Sequence, residues 1–175
     1  MRVLHIGANC SFAGAETVSA TLIREQKKAG IEADAFFLWN MGGGPLFDGL
    51  CNVWFPEDRP LTEVLLAGDY DLVHIVAAAA GAAGISLRRA LYRGAVVITS
   101  HGAFGDLLGC KYVVAVSKFG AEEIQPACSS PVYVVYNGID LTRFGPAPAP
   151  SAERPIIAWV GRSNDAQKDY GGLLA

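Results

Sequence analysis

Several short groups of residues in this chain have the types and spacing to do chemistry. Thr99-Ser100-His101-Gly102 closes an apolar run, so His101 would project from the carboxyl end of a strand into a crevice. An imidazole there can donate a hydrogen bond or carry a proton, and a satisfied structural histidine is the alternative. Ala13-Gly14-Ala15-Glu16 heads a helical pattern. Its small residues let backbone amides approach an anion, and a helix N-terminus adds partial positive charge. Glu16 would add first-turn charge or bind a polar ligand, and the alternative is an ordinary helix start packed through small side chains. Gly161-Arg162, with Lys168 further along the same loop, offers two cations to a diphosphate, Arg by its fork and Lys as a point charge. Two solvated surface charges are the alternative. Asn137-Gly138 stops a run of β-branched and aromatic residues. Between two alternating runs that dipeptide would mark a hairpin. Repeated prolines follow instead, and they remove ladder donors and favour an extended linker. The stretch therefore reads as a strand end leading into an interdomain connection, with Asn137 at the mouth of the crevice.

Other chemistries are not supported. No Gly-Lys-Ser/Thr phosphate loop occurs, and Gly7 and Gly14 lie too far apart for a dinucleotide fingerprint. His5 and His74 fall inside strand-like runs and read as core histidines. Without a His/Glu/Cys cluster at ligand spacing, no metal is expected. The net charge of −3 comes with scattered Lys and Arg, which gives no electrostatic footprint for nucleic acid. Cys10, Cys51, Cys110 and Cys128 are far apart, with no Cys-x-x-Cys pair, and read as reduced thiols of a cytoplasmic protein. The most apolar tract, residues 72–87, contains His74 and is short for a membrane span. A soluble protein is expected, with contact at a membrane surface left open.

The elements that must position these residues follow an alternating order. Residues 2–7 form an apolar run closed by glycine, as in a strand buried on both faces of a parallel sheet. Residues 14–28 make a helix with Val18, Leu22 and Ile23 on one stripe and Arg24, Glu25, Lys27 and Lys28 opposite. Strands are expected over residues 32–39, 51–55, 72–76, 95–99, 112–116 and 132–136. Helices are expected over residues 60–67, 82–92 and 118–125, the last capped by Ser117 and stopped by Pro126. Residues 40–45 read as a flexible glycine-rich loop. Such alternation gives an α/β, Rossmann-like, doubly wound parallel sheet, whose ligands bind outside the carboxyl ends of the strands. The loops starting at Gly7, Asn40, Ala77, Ser100, Ser117 and Asn137 define the candidate site.

In this order the motifs resemble the GT-B glycosyltransferases, in particular the large retaining family numbered four. The resemblance is carried by Gly14-Ala15-Glu16 after the opening strand, Asp71-Leu-Val-His74, Thr99-Ser-His-Gly102 and Val114-Ala-Val-Ser117. It continues through Val134-Val-Tyr-Asn-Gly-Ile-Asp140 with Phe144 and Pro146, and Val160-Gly-Arg162 with Lys168. It spans almost the whole chain. Where the family has paired glycines before the glutamate, Ala13 holds the first position.

The resemblance implies a two-domain transferase that moves a sugar from a nucleotide-diphosphate sugar to an acceptor hydroxyl with retention of configuration. Residues 1–145 would be the acceptor-side domain, 146–155 a proline-rich hinge, and 156–175 the first strand and loop of a truncated donor-binding domain. Gly14 would offer its amide to the donor phosphate or sugar, and His101 would sit near the transferred sugar. Arg162 and Lys168 would neutralise the diphosphate leaving group in place of a metal, and no cofactor is required. Most of the donor site would then be missing, so the chain alone is expected to be inactive. An exposed final strand could pair between molecules. A Rossmann-like nucleotide-binding enzyme of another class and a non-catalytic scaffold stay open as alternatives.

Overall fold

A computed structural model describes residues 1–76, 79–102 and 111–145. The chain divides into two compact units, Met1–Leu141 and Thr142–Ala175. The first unit is built on a seven-stranded parallel sheet, in agreement with the alternating pattern. In chain order it contains β1 (Arg2–Cys10), α1 (Gly14–Lys28), β2 (Glu32–Asn40), β3 (Val53–Trp54), α2 (Leu61–Gly68) and β4 (Leu72–Val76). Then come α3 (Ala80–Arg89), β5 (Ala95–Ser100), β6 (Tyr112–Ala115), α4 (Lys118–Ile124) and β7 (Val132–Val134). The strand order is β3-β2-β1-β4-β5-β6-β7. The chain therefore winds outward from β1 in one direction, returns, and winds outward in the other from β4. The reversal between β1 and β4 is the topological switch point where such sheets bind ligands.

Both faces of the sheet are covered, which is why its strands read as nearly continuous apolar runs. On one face Ala20 and Ile23 of α1 pack with Ala35, Phe37 and Phe47. On the other, Leu61, Val64 and Leu65 of α2, Ala83 of α3 and Ala121 and Ile124 of α4 cover Leu4, Ile6, Phe36, Val73, Ile75, Ile98 and Val113. Full burial of side chains such as Phe36, Leu4 and Ile75 contributes roughly 1.5–3 kcal/mol each.

Some boundaries differ from the sequence reading for identifiable reasons. β1 does not stop at Gly7 but runs on to Cys10. Gly7 is there for packing, since a Cβ would lie 2.6 Å from Cε1 of Phe37. The ligand-facing loop consequently begins at Ser11. The glycine-rich stretch after β2 is braced, with Met41 N and Gly43 N both donating to Cys10 O at 2.9 Å. A Cβ on Gly43 would come within 2.5 Å of Ser11 N, so the backbone of this loop lies directly against the end of β1. A 3-10 turn over Gly44–Phe47 then drops Phe47 into the core. Ser117 caps α4 as expected, its hydroxyl accepting from Gly120 N at 3.0 Å. The expected strand 156–161, the loop with Arg162 and Lys168, and the connection 103–110 lie outside the described residues.

Candidate functional site

The carboxyl ends of the central strands bring part of the sequence-selected set together. β5 ends at Ser100, whose hydroxyl bonds the carbonyl of Gly102 and folds the chain back just after the strand. That bend sets His101, half-buried, over the ends of the neighbouring strands. A cavity of about 250 Å³ opens beside it, lined by His74, Thr99, His101 and Asn137 together with Val114, Val116, Val135 and Ile139. Val18, Leu22 and Glu25 of α1 also line it. His101 also borders a second cavity of about 250 Å³ reaching to Ser117, the cap of α4, and to Phe119 and Glu123 within that helix. Burial lowers the pKa of His101, so the imidazole is neutral at neutral pH and offers one donor and one acceptor.

The expected apolar stripe of α1 divides between two tasks. Ile23 is buried in the core, whereas Leu22 remains 39% exposed because it faces the cavity and not the sheet. Spacing alone could not separate these tasks, since both residues fit one helical face.

Ala13, Gly14 and Glu16 sit at the head of α1, immediately after β1 and hence at the switch point. Ala13 is the extended N-cap residue and makes no side-chain cap. The space where a Cβ of Gly14 would project is open to 4 Å, so nothing obstructs a ligand there. Oε2 of Glu16 is buried and has no hydrogen-bond partner among the described residues. An unsatisfied buried carboxylate oxygen is costly, and a polar ligand hydroxyl would relieve it. Ala13, Gly14 and Glu16 do not line the cavity beside His101. Arg162 and Lys168 lie outside the described residues.

His74, which lines the cavity, and its partner His5 were not singled out from sequence as site residues. His5 and His74 are hydrogen-bonded strand histidines, as expected, but the register sets them directly opposite each other on β1 and β4. His74 continues from that pair to Thr99 and so reaches the cavity. The signals were the placement of both histidines inside strands and, for His74, its place in the motif Asp71-Leu-Val-His74; the pairing register of distant strands is not readable from local pattern.

A larger cavity of about 620 Å³ lies toward the amino ends of the strands, lined by Arg2, Lys27, Asp34 and Asn52 among others. Its polar groups are engaged with one another, since Arg2 Nη2 meets Asp34 Oδ2 at 2.6 Å and Asn52 Nδ2 donates to Asp34 Oδ1 at 2.8 Å. The smaller cavity is at the end where this topology binds ligands, and it holds the half-buried imidazole. We therefore take that cavity as the candidate site.

Among the described residues, no cluster of three or more His, Cys, Asp or Glu could hold a metal ion. Cys10, Cys51 and Cys128 are free thiols. Burial pushes Cys10 up to about 11 and Cys51 up to about 12, which leaves both as poor nucleophiles. No described helix is long and apolar enough to cross a membrane. Residues 12–143 match the model of a family described as Glycosyltransferase Family 4. No curated protein matches the chain.

Proposed function

The chain belongs to glycosyltransferase family 4, and from that premise we propose that it serves the transfer of a glycosyl group from a nucleotide-diphosphate sugar to an acceptor hydroxyl with retention of configuration. Residues 1–145 take the acceptor side in this reading. The observation that carries it is the position of His101, at the carboxyl end of β5 and between two cavities, one of them shared with Thr99 and Asn137. His101 hydrogen-bonds the sugar being transferred or its acceptor. The open approach to Gly14 supports amide contact with the donor phosphate or sugar, and the orphan oxygen of Glu16 supports binding of a polar ligand there.

Among the described residues, no Lys or Arg lines either cavity beside His101. The charge of a departing nucleoside diphosphate must then be met from elsewhere, a role we give to Arg162 and Lys168. We further propose that residues 1–145 bind acceptor, that residues 1–175 by themselves do not turn over a nucleotide sugar, and that the protein acts in the cytoplasm. Turnover of a nucleotide sugar by the 175-residue polypeptide would overturn the second point.

The test is a screen of nucleotide-sugar donors against hydroxyl acceptors on a polypeptide carrying both halves, with His101→Ala and Lys168→Ala as controls. Loss of transfer in both variants is expected. Unchanged transfer in both would refute the assignment of the site.

A further inference from the structure

A line of hydrogen bonds between side chains runs along the α1-facing side of the sheet from α1 to the cavity. Gln26 Oε1 lies 2.8 Å from His5 Nε2, His5 Nδ1 lies 2.8 Å from His74 Nδ1, and His74 Nε2 lies 2.8 Å from Thr99 Oγ1. The two imidazoles meet edge to face, with centroids 5.0 Å apart. Both are neutral at neutral pH, because burial lowers His5 to about 4 and, with the nearby His5 and His101, lowers His74 to about 3. Each ring therefore carries a single N–H.

That count fixes the direction of the whole line. A carbonyl oxygen can only accept, so Gln26 Oε1 requires the proton of His5 on Nε2. His5 Nδ1 is then bare, and the short Nδ1···Nδ1 contact requires the proton of His74 on Nδ1. His74 Nε2 is left as an acceptor, so Thr99 must donate its hydroxyl proton to it. The remaining lone pairs of Thr99 Oγ1 are available to the cavity that Thr99 lines.

We infer that Thr99 is a ligand-binding group that accepts a hydrogen bond from a ligand hydroxyl, and that His74, His5 and Gln26 are positioning residues which hold it in that sense. The ligand class follows from what surrounds Thr99. Val18, Leu22, Val114, Val116, Val135 and Ile139 form the walls. The cavity of about 250 Å³ exceeds the roughly 150 Å³ that admits a benzene ring. It suits a hydroxyl carried next to an apolar group. The inference deepens the acceptor-side reading, but its test involves no transfer, so either can fail while the other stands.

The experiment uses the chain as it is. Side-chain ¹⁵N spectra at pH 7 should show His5 protonated on Nε2 and His74 on Nδ1. Phenol and anisole are then titrated in, since they share a ring and differ in whether the oxygen can donate. Phenol should bind about two- to tenfold more tightly, the range for one neutral hydrogen bond, and should shift His74 Nε2. Thr99→Val should abolish that preference and Thr99→Ser should keep it. Gln26→Leu, which frees the direction of the line, should weaken the preference, while Gln26→Glu, whose ionised carboxylate can only accept, should preserve it. The inference is overturned by a proton on His74 Nε2, by equal binding of phenol and anisole, by binding of neither, or by a phenol preference that survives Thr99→Val.

Discussion

Two polar clusters are set into the same parallel sheet, one at the amino ends of its strands and one leading to the carboxyl ends, and they are built in opposite ways. At the amino ends Asp34 is charged and enclosed. It accepts from Arg2 Nη2 at 2.6 Å, from Tyr70 OH at 2.8 Å and from Asn52 Nδ2 at 2.8 Å. Arg2 also reaches Gly68 O and lies over the Tyr70 ring. Burial by itself would raise the Asp34 carboxyl, but the bonds from Arg2, Tyr70 and Asn52 outweigh it and hold the group below the usual carboxylate range. Every named partner belongs to the fold. The histidine line is neutral and ends on a cavity, where among the described residues the side chain of Thr99 bonds only His74. A polar cluster whose groups are engaged with one another ties strands together even though it borders the larger cavity, whereas a line that ends on a hydroxyl at a cavity has capacity left for a ligand.

Removing the centre of each cluster should expose the contrast. Asp34→Ala strips the compensation from Arg2 and Tyr70. Its side chain is 6% exposed but that of Arg2 is 37% exposed and can rehydrate. The expected loss is about 3 kcal/mol, at the low end for breaking a buried pair, and denaturant unfolding measures it. A loss below about 1 kcal/mol would make the cluster a surface pair in energetic terms.

Acid separates the clusters by pH window. Unfolded imidazoles bind protons below about pH 6.5, whereas folded His5 and His74 resist until about 4 and about 3. Between those limits the unfolded state binds more protons, so stability falls as pH falls, by about 1.4 kcal/mol per pH unit for each histidine. The Asp34 contribution persists above its unfolded value near 4 and is lost only as pH drops further through its lowered folded value. Unfolding curves between pH 7 and 4 should therefore slope in the wild type and flatten in the His5→Gln, His74→Gln double variant. Equal slopes would mean that the pair titrates normally.

The smallest effects on stability are expected where the account places function. Thr99→Val should change unfolding free energy by no more than about 1 kcal/mol, the worth of one ordinary hydrogen bond. Gly14→Ala should move it by less than about 0.5 kcal/mol, since open space surrounds the added Cβ. Gly7→Ala, a few residues earlier, should cost about 2 kcal/mol by overpacking Phe37. A reversal of that order in melting experiments would undo the distinction between a packing glycine and an access glycine.

Much of the fold was legible because both faces of the sheet are covered. Continuous apolar runs such as Leu72–Val76 and the periodic run Gly14–Lys28 gave their elements to the residue. The end of β1 was misplaced because Gly7 looked like a stop, when the reason for it is an aromatic ring on the neighbouring strand. Local pattern carries no information about that ring. Of the expected site residues, His101 and Asn137 line one cavity beyond the carboxyl ends of β5 and β7, which the strand pattern made legible. The His5–His74–Thr99 line was not, because it depends on which strands are neighbours and in what register. Leu22 was missed for a related reason, since one helical stripe served both the core and the cavity wall.

The most direct measurement for the central claim is glycosyl transfer by a polypeptide carrying both halves, comparing wild type with His101→Ala at equal melting temperature. The account predicts a fall of at least about 100-fold in transfer, the lower range for removing a positioned proton carrier or hydrogen-bond donor. Wild-type turnover by a folded His101→Ala variant would contradict it.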